Sequence, residues 1–169
     1  GKEVSYENVT YKRLLEDINK FGTALYNLNL KGKRVAVIGK NRYEWVVSHL
    51  SNLLGGIVSV PLDKDLQYDE LESSLIRSKA DAIIFDEKLK DEISEIKKNG
   101  KTNLTEYICM SELSGYRSFK ELMKKGEELI EEGNTDFINS KIDENIMSIL
   151  LFTSGTTSKS KAVMLSQKN

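Results

Sequence analysis

Between Thr153 and Lys161 the chain collects hydroxyls on Thr153, Ser154, Thr156, Thr157 and Ser158, a glycine at Gly155, and cations at Lys159 and Lys161. These residue types share one capability, which is to direct hydrogen-bond donors and positive charge at an anion. Backbone N–H groups add to it, because Gly155 can adopt the positive φ that lets consecutive N–H groups converge on one point. The pattern is a cradle for a polyanion, and the phosphates of a nucleotide fit it best. Apolar runs flank the loop, Ile149 to Phe152 before it and Ala162 to Leu165 after it, so two short strands are expected to hold its ends. Clusters of Ser, Thr and Gly are commonly plain turns. Nine residues carrying two lysines between strand-like runs favour a binding loop over that reading.

The elements that must position this loop alternate along the chain. Leu14, Leu15, Ile18, Phe21, Leu25 and Leu28 fall at helical spacing and predict an amphipathic helix over 12–30. Arg34-Val-Ala-Val-Ile38 is a continuous apolar run, as expected of a strand covered on both faces. Asn41 and Glu44 have the spacing of a capping box, opening a helix with Trp45, Val46, His49, Leu50, Leu53 and Leu54. Gly55-Gly56 ends it, and a second strand over 57–60 is closed by Pro61, the only proline. A helix over 69–79, a strand at 82–85, a helix over 86–98 and a strand at 107–110 follow. Ser118 and Glu121 make a second capping box before a helix bearing Phe119, Leu122, Met123, Leu129 and Ile130, and a polar link over 133–145 returns to the loop region.

Such alternation predicts an α/β fold, an open and mostly parallel sheet with helices on both faces, forming a single domain over 1–169. Ligands in such folds sit beyond the carboxyl ends of the strands, where the loop after Phe152 falls.

Composition narrows the function classes. A 39% hydrophobic share supports a core, and a net charge of −1 argues against nucleic-acid binding. The single cysteine, Cys109, lies in an apolar run and is expected in the core, without disulfide or thiolate metal chemistry. No stretch approaches the roughly 20 apolar residues of a transmembrane segment. A soluble, reducing, cytoplasmic setting fits, and peripheral membrane contact is compatible with it. His49, the sole histidine, shares a helix face with Trp45 and Leu53, which points to packing rather than catalysis. Glu127-Glu128, Glu131-Glu132, Lys97-Lys98 and Lys124-Lys125 read as solvated surface. Ser166 reads as a helix N-cap three residues before the chain stops at Asn169, so a piece excised from a longer protein is expected.

A Walker A phosphate loop requires Gly, four residues, then Gly-Lys-Ser/Thr. Counting from Gly155 places Lys161 at the lysine, but Ser160 replaces the second glycine and Ala162 the Mg²⁺-binding hydroxyl. A strand-like run also follows where Walker A opens a helix, so a kinase-like phosphotransferase fits poorly. A different family fits well. Thr153-Ser-Gly-Thr-Thr157 with Lys161-Ala-Val-Met-Leu-Ser166 resembles the AMP-binding signature of the adenylate-forming superfamily, here spanning 150–166. Gly39-Lys-Asn-Arg-Tyr-Glu-Trp45 and Gly55-Gly-Ile-Val-Ser-Val-Pro-Leu-Asp63 resemble early segments of the same superfamily, especially its long-chain fatty acid–CoA ligases. The chain departs from the usual pattern at Ser158, Ser160 and Ala162, where Gly, Pro and Gly are usual, and at Gln167, where histidine is common.

The resemblance implies the N-terminal subdomain of an acyl-CoA synthetase-like fold, from an enzyme that makes an acyl-adenylate from a fatty acid or other carboxylate and ATP, then an acyl-CoA thioester. ATP, Mg²⁺ and coenzyme A are the implied cofactors. Ser154, Gly155, Thr156, Thr157 and Lys161 would contact the ATP phosphates, and Thr153 a Mg²⁺ ion. No catalytic residue is expected within this piece, which by itself is expected to be inactive. Its implied partner is the remainder of its own chain, and apolar surface left bare would favour self-association. Another adenylate-forming enzyme with a different carboxylate, or a non-catalytic nucleotide-binding module, are the alternatives.

Overall fold

The computed structural model describes residues 8–153 and 161–168, the side chains of Thr153 and Lys161 excepted. Helix α1 (Tyr11–Asn27) begins at Thr10, whose hydroxyl accepts from the Arg13 N–H, and stops three residues short of the predicted end as Asn29 turns to a φ of 61°. Strand β1 (Arg34–Ile38), helix α2 (Tyr43–Leu54), strand β2 (Val58–Leu62), helix α3 (Tyr68–Ser78) and strand β3 (Ala82–Phe85) follow. Next come a 3-10 turn (Glu87–Leu89), helix α4 (Lys90–Asn99), strands β4 (Glu106–Cys109) and β5 (Arg117–Ser118), and helix α5 (Phe119–Glu131). Strands β6 (Met147–Thr153) and β7 (Lys161–Ser166) complete the order.

The seven strands form one sheet in the order β5-β4-β3-β1-β2-β6-β7, parallel throughout except for the antiparallel β6–β7 pair. This is the expected open, mostly parallel sheet. Alternate residues of its central strands feed two separate cores, which is why these strands read as unbroken apolar runs. Val35, Val37, Ala82, Ile84 and Ile108 face α1, α2 and α5, meeting Ile18, Phe21, Leu25, Val47, Phe119 and Leu122. Ala36, Ile38, Ile83, Phe85 and Cys109 face α3 and α4, meeting Leu71, Leu75, Ile93 and Ile96.

Four expectations are corrected. The box expected at Asn41 and Glu44 does not form. Arg42 is the residue preceding α2, and its guanidinium takes the Glu44 carboxylate at 2.9 Å. The box at Ser118 and Glu121 does form. The predicted helix over 86–98 opens instead with the 3-10 turn, because the Asp86 side chain accepts from Lys88 N–H and shapes that turn locally. Pro61 does not close β2 but lies inside it. Finally, the polar link over 133–145 buries Phe137, whose ring meets Tyr26 edge-on and lies over Gly22 and Gly55, where any side chain would collide with it.

Candidate functional site

The loop predicted from sequence is held as its flanks implied. Strand β6 runs parallel to β2 and therefore ends at the carboxyl edge of the sheet, and β7 returns antiparallel beside it. The register pairs Leu151 with Val163, Phe152 with Ala162 and Thr153 with Lys161. Thr153 and Lys161 thus stand opposite each other as the last register pair of the antiparallel β6 and β7. The remaining candidates, Ser154, Gly155, Thr156 and Thr157, lie outside the described residues, as do the departures at Ser158 and Ser160.

The hairpin seats on the body through side chains of both strands. Leu150 enters the α3–α4 core and Phe152 packs against its margin. The Arg77 guanidinium, from α3, lies over the Phe152 ring at 5.1 Å from its centroid. At the other end of the strands Gln167 donates from Nε2 to the Leu53 carbonyl at 2.5 Å. That carbonyl is in the last turn of α2, where helical acceptors lack intrahelical partners. Gln167 therefore sits at the strand end opposite the loop, and its amide ties the hairpin base to α2.

The carboxyl edge carries a second polar assembly that sequence reasoning missed. Arg42, following β1, reaches Glu44 at 2.9 Å, Glu87 at 2.8 Å, Asp86 at 3.4 Å and Ser111 at 3.1 Å, joining the segments after β1, β3 and β4. Burial opposes the charged form of Glu87, but hydrogen bonds from its own backbone, Ser111 and Arg42 outweigh it and hold the carboxyl at about 2. Burial likewise opposes the charge on Arg42, and its bonds to Glu44 and Glu87 more than offset that, so the guanidinium stays ionised. In the sequence Arg42 and Glu44 lie two residues apart; only the sheet order brings in Asp86, Glu87 and Ser111. The cluster sets one guanidinium against three carboxylates and acts as a brace between the segments after β1, β3 and β4.

Beside it, β2 and β3 lie on opposite sides of β1, so the loops after β1 and β3 diverge. They leave a crevice of about 260 Å³ lined by Gly39, Lys40, Lys64, Asp65, Asp86, Lys88 and Leu89. An apolar groove of about 560 Å³ lies between α1, α2 and the hairpin base, with Leu15, Leu50, Leu54 and Ile149 among its walls.

His49 and Cys109 fall where the sequence placed them. His49 stacks on Trp45 at 5.1 Å, and its Nδ1 lies 2.8 Å from the Ser59 hydroxyl, whose oxygen also accepts from Asn52. Burial lowers its pKa and favours the neutral ring. Cys109 is buried in the core, and burial pushes its thiol up, away from a reactive thiolate. Glu127, Glu128 and Glu131 are exposed as expected, and Lys97 is exposed with its ammonium over Tyr107 and Tyr116. Among the described residues, no group of three or more His, Cys, Asp or Glu could hold a metal, and no helix is long and apolar enough to cross a membrane.

Comparison with known proteins agrees with this geometry. The chain is 31% identical over 147 residues to a CoA ligase of Gibberella moniliformis, covering 87% of this chain and 22% of that protein. It is 26% identical over 175 residues to fatty acyl-CoA synthetase A of Dictyostelium discoideum, covering 100% of this chain and 26% of the relative. The chain thus spans about a quarter of the length of these curated relatives. The fold matches that of a long-chain-fatty-acid-CoA ligase (FadD1) from Archaeoglobus fulgidus with a TM-score of 0.79 at 21% identity, over 99% of this chain and 32% of that one. The family model described as AMP-binding enzyme matches residues 3–169. The hairpin, the sheet that carries it and this match together establish that the chain belongs to the AMP-binding enzyme family.

Proposed function

We propose that this chain supplies the phosphate-binding wall of an AMP-forming acyl-CoA ligase acting on a long-chain fatty acid. The observation that carries the reading is the closing pair of the hairpin. Thr153 opposite Lys161 roots a loop of hydroxyls at the carboxyl edge of a parallel sheet, where nucleotide ligands of such sheets sit. The donor set suits phosphate oxygens, because hydroxyls, backbone N–H groups and an ammonium all donate and none carries negative charge.

In this reading Ser154, Gly155, Thr156, Thr157 and Lys161 contact the β- and γ-phosphates of ATP, and Thr153 holds Mg²⁺. That ion would supply charge neutralisation on the phosphates. The carboxylate attacks the α-phosphorus and pyrophosphate leaves; the coenzyme A thiol then takes the acyl group from the adenylate and AMP leaves. The loop serves the first step by stabilising charge on the departing pyrophosphate. The chain holds one wall of such a site and would not turn over by itself, its partner being the remainder of a family-length protein.

A hydrogen bond to a charged group contributes about 1.5–3 kcal/mol, so Lys161→Ala should weaken ATP binding by about 10- to 100-fold. Single hydroxyl removals such as Thr156→Ala should cost less. Titration calorimetry of the family-length protein with ATP and Mg²⁺ measures both, and an unchanged affinity in Lys161→Ala would sink the reading. A second reading, a different carboxylate substrate, is favoured by the Gibberella relative, whose name specifies a CoA ligase and no acid. Pyrophosphate release across acids of increasing chain length separates the two.

A further inference from the structure

We propose that Asn52, Ser59 and His49 form a reversible hydrogen-bond chain, a pH-sensitive switch that changes how α2 is tied to the sheet. With His49 neutral the chain runs from Asn52 to Ser59 to His49; protonation reverses it and turns the Asn52 side-chain amide. The switch lies between α2 and the parallel strands and does not depend on the phosphate-loop reading above.

The direction of the chain follows from its donors and acceptors. Asn52 Nδ2 lies 3.1 Å from the Ser59 hydroxyl oxygen and, as an amide nitrogen, only donates to it. The hydroxyl hydrogen is left for His49 Nδ1, 2.8 Å away. Nδ1 is therefore the acceptor, and the proton of the neutral imidazole sits on Nε2. Asn52 and Ser59 are fully buried, and one atom of the set is unserved: Asn52 Oδ1 has no hydrogen-bond partner.

A proton taken from solvent at Nδ1 makes that nitrogen a donor. Ser59 then receives from both neighbours, and its own hydrogen loses its acceptor. A half-turn of the Asn52 amide puts Oδ1 in the place of Nδ2, where it accepts the hydroxyl, and the chain runs from His49 to Ser59 to Asn52. The turn gives up the N–H that Nδ2 directs at the Val35 carbonyl of β1, a long bond of 3.5 Å. The reversed chain thus forms only once Nδ1 is protonated. The Asn52 backbone stays fixed, because its carbonyl accepts from the Gly55 and Ile57 N–H groups at the end of α2.

Neighbouring charges are engaged elsewhere. Packed against α2 are α1, β1, β2 and β6, and β2 and β6 carry no titratable side chain. Arg34 of β1 donates to the Ser78 carbonyl of α3. On α1, Asp17 is held by Tyr43 and Arg13, Lys20 pairs with Glu127, and Lys12 and Glu16 are exposed. On α2 itself Glu44 is held by Arg42. Burial lowers the His49 pKa from 6.5, so the reversal falls below that pH.

The test is a titration of the 15N-labelled 169-residue chain from about pH 7.5 down to about 4.5. It follows the His49 ring nitrogens, the Asn52 side-chain amide and the fluorescence of Trp45. Trp45 is the only tryptophan and stacks on the His49 ring, so it reports the ring's charge independently. At the start Nε2 should carry the proton. The Asn52 amide signals and the Trp45 emission should then move with the His49 midpoint. Ser59→Ala, which cuts the chain between its ends, should keep the His49 titration and abolish the Asn52 response. A neutral ring protonated at Nδ1 overturns the proposal, as does an Asn52 amide that stays put while His49 titrates. So does an Asn52 response that persists in Ser59→Ala, or a His49 that does not titrate before the chain unfolds in acid. The tautomer and the shared midpoint are read on the unsubstituted chain, so they decide the matter even where the variant does not fold.

Discussion

The two ends of the sheet are built on different terms. From β4 through β3 and β1 to β2 the strands are parallel, covered by helices on both faces and paired along their lengths. At the β6–β7 end β6 still runs beside β2, with the register pair Ser59–Ile149, but Met164 on β7 stands 67% exposed, and an apolar groove is left open between hairpin and helices. The edges differ too. Strand β5 is two residues long and its Arg117 is paired with Glu106, which blunts that edge. Strand β7 is six residues long, with an uncharged stretch from Ala162 to Ser166. The covered half is buried on both faces, and the other end leaves part of its hairpin exposed.

That contrast can be broken most directly by truncating one large side chain in each half. Phe85→Ala, in the α3–α4 core, should destabilise the chain by about 3–5 kcal/mol. Met164→Ala should change stability by no more than about 0.5 kcal/mol. Equal losses in urea unfolding would show that the hairpin is as much a part of the core as β3.

Gly126→Ala should come next. A Cβ at this position of α5 would lie 1.7 Å from the Lys20 carbonyl oxygen of α1. Alanine favours a helix over glycine by about 1 kcal/mol, yet the collision is with backbone and cannot be relieved by a rotamer. Overpacking should win, with a net loss of about 1–3 kcal/mol. A raised Tm would show that the helical layer over the parallel half yields more than its close crossing implies.

The smallest effect concerns the seam itself. His49 bonds Ser59, the residue through which β2 meets β6. Its pKa is lowered in the folded state by burial, so below its ordinary value of 6.5 the unfolded chain binds more protons than the folded one. Stability should be fully present above about pH 7 and fall as pH drops through 6.5. His49→Gln, which keeps a hydrogen-bonding group there, should flatten the Tm profile between pH 7.5 and 5.5. An unchanged slope would remove His49 from the seam's energetics.

Much of this architecture was legible because parallel strands and amphipathic helices leave local signatures. The run at 34–38, the glycines at 55 and 56 and the Ser118–Glu121 box each encode their element within a few residues. The two strands that flank the 154–160 stretch were legible for the same reason. Elements that depend on partners elsewhere were not. The short strand β5 exists because β4 is beside it, the Asn41–Glu44 box yields to Arg42, and Phe137 in a polar link reads as a loop residue until Gly22 and Gly55 form its seat.

By itself the sequence determined the kind of most elements, their order, and the side-chain types between the last two strands, because periodicity and side-chain type are local properties. The tertiary structure decided which residues meet. It set Thr153 against Lys161 and gathered Asp86, Glu87 and Ser111 around Arg42. Those outcomes follow from strand order and register, which couple residues tens of positions apart and have no local signature.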